Sequence, residues 1–305
     1  MSHEGTPDEQ ELREIMIKKR MALVGKKIIV LSGKGGVGKS TVTVNLANAL
    51  VNKGYKVGIL DTDLHGPNVA KMLGCEDGML DSPDGKTIIP VKVRENLCVI
   101  SLAFAIKDSG APVIWRGPMK IAAIKQFIGD VEWGPLDYLL IDTPPGTGDE
   151  QLTAIQSIPG MTGSIIVTTP QDVAILDSRK SVNFSKQLKV PVLGIVENMS
   201  GFICPHCSEI IPLFGIGGGK KLAEEANVPF LGSIPIEINL RENEDCGKSH
   251  LEMDPDSASS KALIAIANII DEVTEVGNPT DYIGTSKCST EACAHCTSSC
   301  TTRKE

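Results

Sequence analysis

From Lys27 onward, short apolar runs recur along the chain with helical patterns between them. The runs are KIIVLS, KVGIL, LCVISL, DYLLID, GSIIVTT, PVLGIVE and PFLGSIP. They are continuous rather than alternating, as expected of strands covered on both faces in a parallel sheet. Between them lie STVTVNLANALVNKG, KIAAIKQFIG and DVAILDSRKSVNFSKQL. Strand–helix alternation at this spacing predicts right-handed crossovers and an α/β fold, a doubly wound, mostly parallel sheet. Residues 1–25 predict a charged helical arm, residues 26–276 the globular domain, and residues 277–305 a cysteine-rich tail with no apolar core of its own. Within the domain, residues 256–277 predict a closing amphipathic helix. No internal repeat is found.

Composition narrows the class. At 305 residues and 41% hydrophobic content, the chain can bury a sizeable core. A formal charge of −8 argues against a surface built to coat nucleic acid. No apolar run reaches the ~18 residues a membrane span needs. The acid-rich start lacks the apolar core of a signal peptide, so a cytoplasmic protein with reduced thiols is expected. In that setting the nine cysteines read as metal or cluster ligands, or as buried hydrophobes, more readily than as disulfides. Cys204 and Cys207 form one group, and Cys288, Cys293, Cys296 and Cys300 another. Cys75, Cys98 and Cys246 stand alone, as small core residues do.

The candidate chemistry begins at Gly33-Lys34-Gly35-Gly36-Val37-Gly38-Lys39-Ser40, which fits G-x-x-x-x-G-K-[ST] between a predicted strand and a predicted helix. The glycines let backbone N–H groups turn toward phosphate oxygens, and the helix N-terminus adds its dipole. Lys39 is the candidate ligand of the β/γ-phosphates, Ser40 of Mg²⁺, and Thr41 of the nucleotide. In LLIDTPPGTGD, Asp142 ends a strand where a carboxylate can hold Mg²⁺ through water, and the Gly and Pro after it suit a segment that rearranges on γ-phosphate loss. In ILDTDLHGPN, Asp61 and Asp63 end another strand.

The string KGGVGKST resembles the deviant phosphate loop of the dimeric ATPases related to MinD, ParA and the nitrogenase iron protein. That resemblance implies that Lys34 reaches the partner subunit's nucleotide, that Asp63 orients the attacking water, and that Asn198, in VENMS, reads adenine. Together with DLHGPN, WRGPM, IDTPPGTGDE and MSGFICPHC, the loop resembles the Mrp/ApbC family of iron–sulfur cluster carrier ATPases over roughly residues 25–275. Membership would imply ATP binding and slow hydrolysis, a homodimer, and transient carriage of a [4Fe–4S] cluster for delivery to apo iron–sulfur proteins. Trp115 and Arg116 in WRGPM acquire no role from this reasoning.

Cys204 and Cys207 offer two thiolates, whereas a cubane cluster takes four. A two-fold dimer duplicates every residue near its axis, so the partner's pair completes the set. Tetrahedral Zn²⁺ accepts the same four thiolates, and a redox dithiol also fits C-x-x-C, although CPHCSEIIP reads as a loop instead of a helix start. His206 reads as a loop residue. The tail pattern C-x4-C-x2-C-x3-C, Cys288 to Cys300, is a full ligand set from one chain for a cluster or zinc, or an empty tail. Family position does not account for it. Many bacterial relatives carry a further domain ahead of the phosphate loop, where this sequence has only a short arm.

Two rivals share the phosphate loop. A positioning ATPase of the MinD or ParA type needs a basic amphipathic helix or a basic DNA-binding surface, which this sequence does not supply. A reductase like the nitrogenase iron protein takes its two cysteines from separated segments instead of one C-x-x-C.

Overall fold

The computed structural model describes residues 7–63, 66–105, 117–204, 206–276 and 279–283. The strands are β1 (Val24–Ser32), β2 (Val57–Asp61), β3 (Val91–Arg94), β4 (Leu97–Ser101), β5 (Leu136–Asp142), β6 (Gly163–Thr168), β7 (Val192–Glu197), β8 (Phe202–Ile203), β9 (Ile210–Ile211) and β10 (Phe230–Ser233). The helices are α1 (Pro7–Met21), α2 (Lys39–Asn52), α3 (Val69–Met72), α4 (Gly117–Asp130), α5 (Asp149–Ser157), α6 (Asp172–Gln187), α7 (Gly218–Ala226), α8 (Ile238–Asp245), α9 (His250–Met253), α10 (Ala258–Glu275) and α11 (Pro279–Ile283). Among the described residues, eight strands make one sheet in the order β10-β7-β6-β1-β5-β2-β4-β3. Only the edge strand β3 runs antiparallel to its neighbour.

The continuous apolar runs follow from burial on both faces. In β1, Ile28 and Val30 face a core layer shared with Leu46 and Leu50 of α2 and with Leu263, Ile266 and Ile270 of α10. Ile29 and Leu31 face the opposite layer, with Ile124 and Phe127 of α4, Ile155 of α5, Val182 of α6 and Leu222 of α7. All four β1 residues are fully buried. Each such side chain contributes about 1.5–3 kcal/mol relative to exposure, so the strand is held from both sides.

Two local features close the molecule. Ser257 caps α10 by accepting from the backbone N–H of Ser260, and Glu237 accepts the N–H groups of Ala258 and Ser259. Near the other end of α10, Asp271 accepts from Tyr138 Oη at 2.6 Å and Tyr55 Oη at 2.8 Å, with Lys53 Nζ at 2.7 Å. The predicted arm contains α1, whose final carbonyl, that of Met21, accepts from the buried Lys27 Nζ. The tail from residue 284 onward, with Cys288, Cys293, Cys296 and Cys300, lies outside the described residues, as do Trp115 and Arg116.

Candidate functional site

Parallel strands deliver their carboxyl ends to one edge, and ligands of doubly wound sheets bind there, where the connections diverge. Here β1 lies between β5 and β6, and Gly33–Gly38 turn from its end into α2. Gly36 and Gly38 have φ of 78° and 81°, a left-handed backbone that favours glycine. A Cβ at Gly33 would overlap the backbone of Asp177 and Ser178, so the loop also rests directly on α6. The loop lines a cavity of about 220 Å³ together with Ser32, Thr41, Asp63, Gly66, Asn68, Met72 and Pro145.

Strand register brings the carboxylates together. Asp142 pairs in register with Val30 on one side and Asp61 on the other, and Asp61 with Ser101 beyond it. Lys39 Nζ donates to Asp142 Oδ2 at 2.7 Å, and Ser40 Oγ donates to the same oxygen at 2.7 Å. Thr43 Oγ1 donates to Asp142 Oδ1, also at 2.7 Å. Asp142 is wholly buried and Lys39 nearly so, which makes this a paired, hydrogen-bonded charge of the kind a protein interior tolerates. Asp61 accepts from Ser101 Oγ at 2.8 Å and from the Asp63 N–H at 3.0 Å. Burial, and after it the neighbouring Asp142 charge, pushes the Asp61 carboxyl up. Asp63, half-buried on the cavity wall, accepts from the Gly66 N–H at 3.2 Å.

Ser40 Oγ and Asp142 are hard oxygen donors beside each other, a donor set that fits Mg²⁺. Lys34 is half-buried on the cavity wall. Thr41 Oγ1 donates to Glu244 Oε2 of α8 at 2.9 Å, and Asn45 Nδ2 donates to Glu244 Oε1 at 2.6 Å. Asn198 is nearly buried, and its Nδ2 donates to the carbonyl of Val37 at 2.9 Å, so this side chain braces the phosphate loop. Gln151 ties down the segment after Asp142: it accepts from the Gly148 N–H at 2.9 Å and donates to the Pro144 carbonyl at 2.6 Å.

Cys204 and Cys207 lie in the connection between β8 and β9, so the pair sits in a loop as expected, and two short antiparallel strands frame it as a hairpin. The hairpin is narrowed by hydrogen bonds from the Cys204 N–H to the Glu209 carbonyl and from the Ser208 N–H to the Cys204 carbonyl, both 2.9 Å. The backbone N–H of Cys207, and after it that of His206, favours the Cys204 thiolate and lowers its pKa below the usual thiol value. Cys207 is exposed. Around the pair, Ile210, Ile211, Leu213, Phe214 and Ile216 also expose their side chains.

Thr43, Gln151 and Glu244 are polar contributors to the nucleotide site that motif reading did not single out. Only the i+4 spacing of Thr43 from Lys39 could have flagged one of them. Gln151 is joined locally, to Gly148 and Pro144, in a pattern that any helix cap can show, whereas Glu244 meets Thr41 across 203 positions.

Comparison with known proteins bears on the whole assembly. Residues 23–271 match a ParA-group family model described as NUBPL iron-transfer P-loop NTPase. An iron–sulfur cluster carrier protein of Methanocaldococcus jannaschii is 50% identical over 271 residues, 88% of this chain and 92% of that protein. A cytosolic Fe–S cluster assembly factor, a NUBP2 homolog of Nematostella vectensis, is 46% identical over 263 residues, 85% of this chain and 97% of the other. A nucleotide-binding protein of Archaeoglobus fulgidus, solved in complex with ADP and with cobalt found in it, superposes with a TM-score of 0.69 at 39% identity. That superposition covers 80% of this chain and 94% of the other.

Proposed function

Because this chain belongs to the NUBPL iron-transfer P-loop NTPase family, we propose that it is a cytoplasmic ATPase that carries an iron–sulfur cluster on Cys204 and Cys207 and hands it to apoproteins. The observation that carries the reading is a hairpin presenting two thiols, one with its thiolate favoured by backbone N–H groups, on the same chain as a formed phosphate loop. The cargo in this reading is a [4Fe–4S] cluster. Two thiolates per chain leave half of a four-thiolate set to a second copy, so the carrier is a homodimer bridged by the two cysteine pairs. The apolar side chains exposed beside the hairpin support a face that another copy covers.

At the other site, Gly33–Gly38 cradle the phosphates of ATP, Lys39 leaves Asp142 for the β/γ-phosphates, and Lys34 reaches across the dimer. Asp63 orients the attacking water, and hydrolysis is slow. Ser40 and Asp142 would hold Mg²⁺, which supplies charge neutralisation on the phosphates when bound. Asn198 contributes to the nucleotide site through its hold on the loop. Opening or closing of the segments after Asp63 and Asp142 then alters cluster retention, with ATP acting as a timer. Neither nucleic acid nor membrane is a partner in this reading, and among the described residues no helix is long and apolar enough to cross a membrane.

The test is iron, sulfide and zinc analysis with a visible absorption spectrum on anaerobically purified protein. Wild type is compared with Cys204→Ala/Cys207→Ala, both with and without residues 284–305, so that metal held by the tail cysteines is counted separately. About four iron and four sulfide per dimer, lost in the double variant, are expected. Zinc in their place, or iron that survives the double substitution, overturns the reading.

A further inference from the structure

Glu197 ends β7 as a wholly buried carboxylate, one residue before Asn198. Its Oε1 accepts from Ser200 Oγ at 2.6 Å and from the Gly217 N–H at 2.8 Å, and its Oε2 accepts from the Gly219 N–H at 2.5 Å. Ser200 stands at the start of the excursion that carries the cysteines, and Gly217 and Gly219 stand at its end, where α7 begins. One side chain therefore closes both ends of the segment that presents Cys204 and Cys207.

The local sequence is built around that carboxylate. Gly217 has φ of 87°, which favours glycine, and a Cβ at Gly219 would come within 3.0 Å of the Glu197 Cβ. A Cβ at Gly218 would overlap the Pro170 backbone. The run GIGGGKK thus has the composition of an anion-binding loop at a helix start, and its anion is the protein's own Glu197.

The neighbouring residue faces the other way. Asn198 holds the Val37 carbonyl inside the phosphate loop, and its own N–H donates to the Thr168 carbonyl at 2.8 Å. The backbone beyond it is fixed too: the Ser200 N–H donates to the Ile234 carbonyl at 2.9 Å, and the Ile236 N–H to the Gly201 carbonyl at 2.8 Å. From Val37 to the stem of the cysteine hairpin the path is a short chain of buried or half-buried hydrogen bonds.

We propose that Glu197 is the positioning residue that ties the stem of the Cys204–Cys207 hairpin to the phosphate loop through Asn198, so that the nucleotide bound at the loop sets the exposure of the thiol pair. The inference rests on the carrier reading only for what the thiols hold. A displacement of the Val37 carbonyl, when the loop closes on phosphate, pulls Asn198 and the adjoining Glu197. Because Glu197 grips both ends of the excursion, the hairpin then moves as a unit.

The experiment uses the full-length, metal-free, reduced protein. Iodoacetamide alkylation of Cys204 and Cys207 is timed by peptide mass spectrometry, with Mg²⁺ and either ADP or a non-hydrolysable ATP analogue. In wild type the two states are expected to differ in rate by about fivefold, the low end of ordinary coupling between two sites. Glu197→Gln replaces an acceptor with an amide donor facing backbone N–H groups. It is expected to bring the ratio close to one while ADP affinity stays within about twofold of wild type. Ser200→Ala removes one of the three hydrogen bonds, is expected to give an intermediate ratio, and carries the test alone if Glu197→Gln does not fold. Equal rates in wild type, or a ratio that survives in the folded variants even with a lowered melting temperature, overturns the proposal. Because the readout needs no metal, a failed cluster analysis would sink the carrier reading without deciding this one.

Discussion

Glu244 is a carboxylate held against the helix that leaves the phosphate loop, accepting from Thr41 and Asn45. Burial is the main cause that pushes it from the ordinary value of 4.5 up to about 7. Between those two values the unfolded chain releases a proton that the folded state retains, so stability falls as pH rises through the window and the whole penalty is present above it. Glu244→Gln has no proton to lose. It is expected to flatten that slope and to stabilise the nucleotide-free protein at pH 8 by on the order of 1–3 kcal/mol, read from urea unfolding at several pH values. An unchanged slope would refute the assignment. Glu244 also shows where motif reading ends. Lys39, Ser40 and Asp142 were legible because their motifs depend on residue type and local spacing, and the structure joins them within 2.7 Å. Glu244 lies 203 positions from Thr41, and no local pattern records such a partnership.

At the scale of elements, all seven apolar runs became strands, because burial on both faces writes an unbroken signal into the chain. The edge strand β3 and the hairpin β8–β9 did not announce themselves. Two-residue strands are too short to show a period, and the half-buried β3 alternates Val-Lys-Val-Arg with no apolar run. Helix α7 begins in a glycine run that disfavours helix by propensity, and its capping comes from the distant Glu197. The contact between the phosphate loop and α6 was equally silent, although it constrains both. Gly33→Ala puts a methyl group into the α6 backbone at Asp177, so loop or helix must shift. We expect ADP affinity, measured by calorimetry, to fall at least tenfold, a loss of about 1.4 kcal/mol or more. Wild-type affinity in that variant would show that the contact gives way without consequence.

For the molecule as a whole, alternation of strands and helices was enough to predict a doubly wound sheet, but not its strand order, which depends on which crossovers pass over which face. The carrier reading adds a second copy, and its hydrodynamic signature is direct. Sedimentation velocity under anaerobic conditions is expected to show iron-loaded wild type as a dimer, and Cys204→Ala/Cys207→Ala shifted toward monomer at the same concentration. A double variant as dimeric as wild type would detach the subunit contact from the thiols. The strand order has a further consequence, for the chain while it is being made. β1 sits mid-sheet, yet its neighbours are β5 and β6, and the register partners Lys26 and Tyr138 are 112 residues apart. At translation rates of about 5–20 residues per second, the ribosome releases β1 roughly 6–22 s before its first native strand neighbour exists. For that interval KIIVLS is a bare apolar ribbon awaiting a partner, so the nascent chain, more than the finished protein, is the species most exposed to aggregation and in need of chaperone protection.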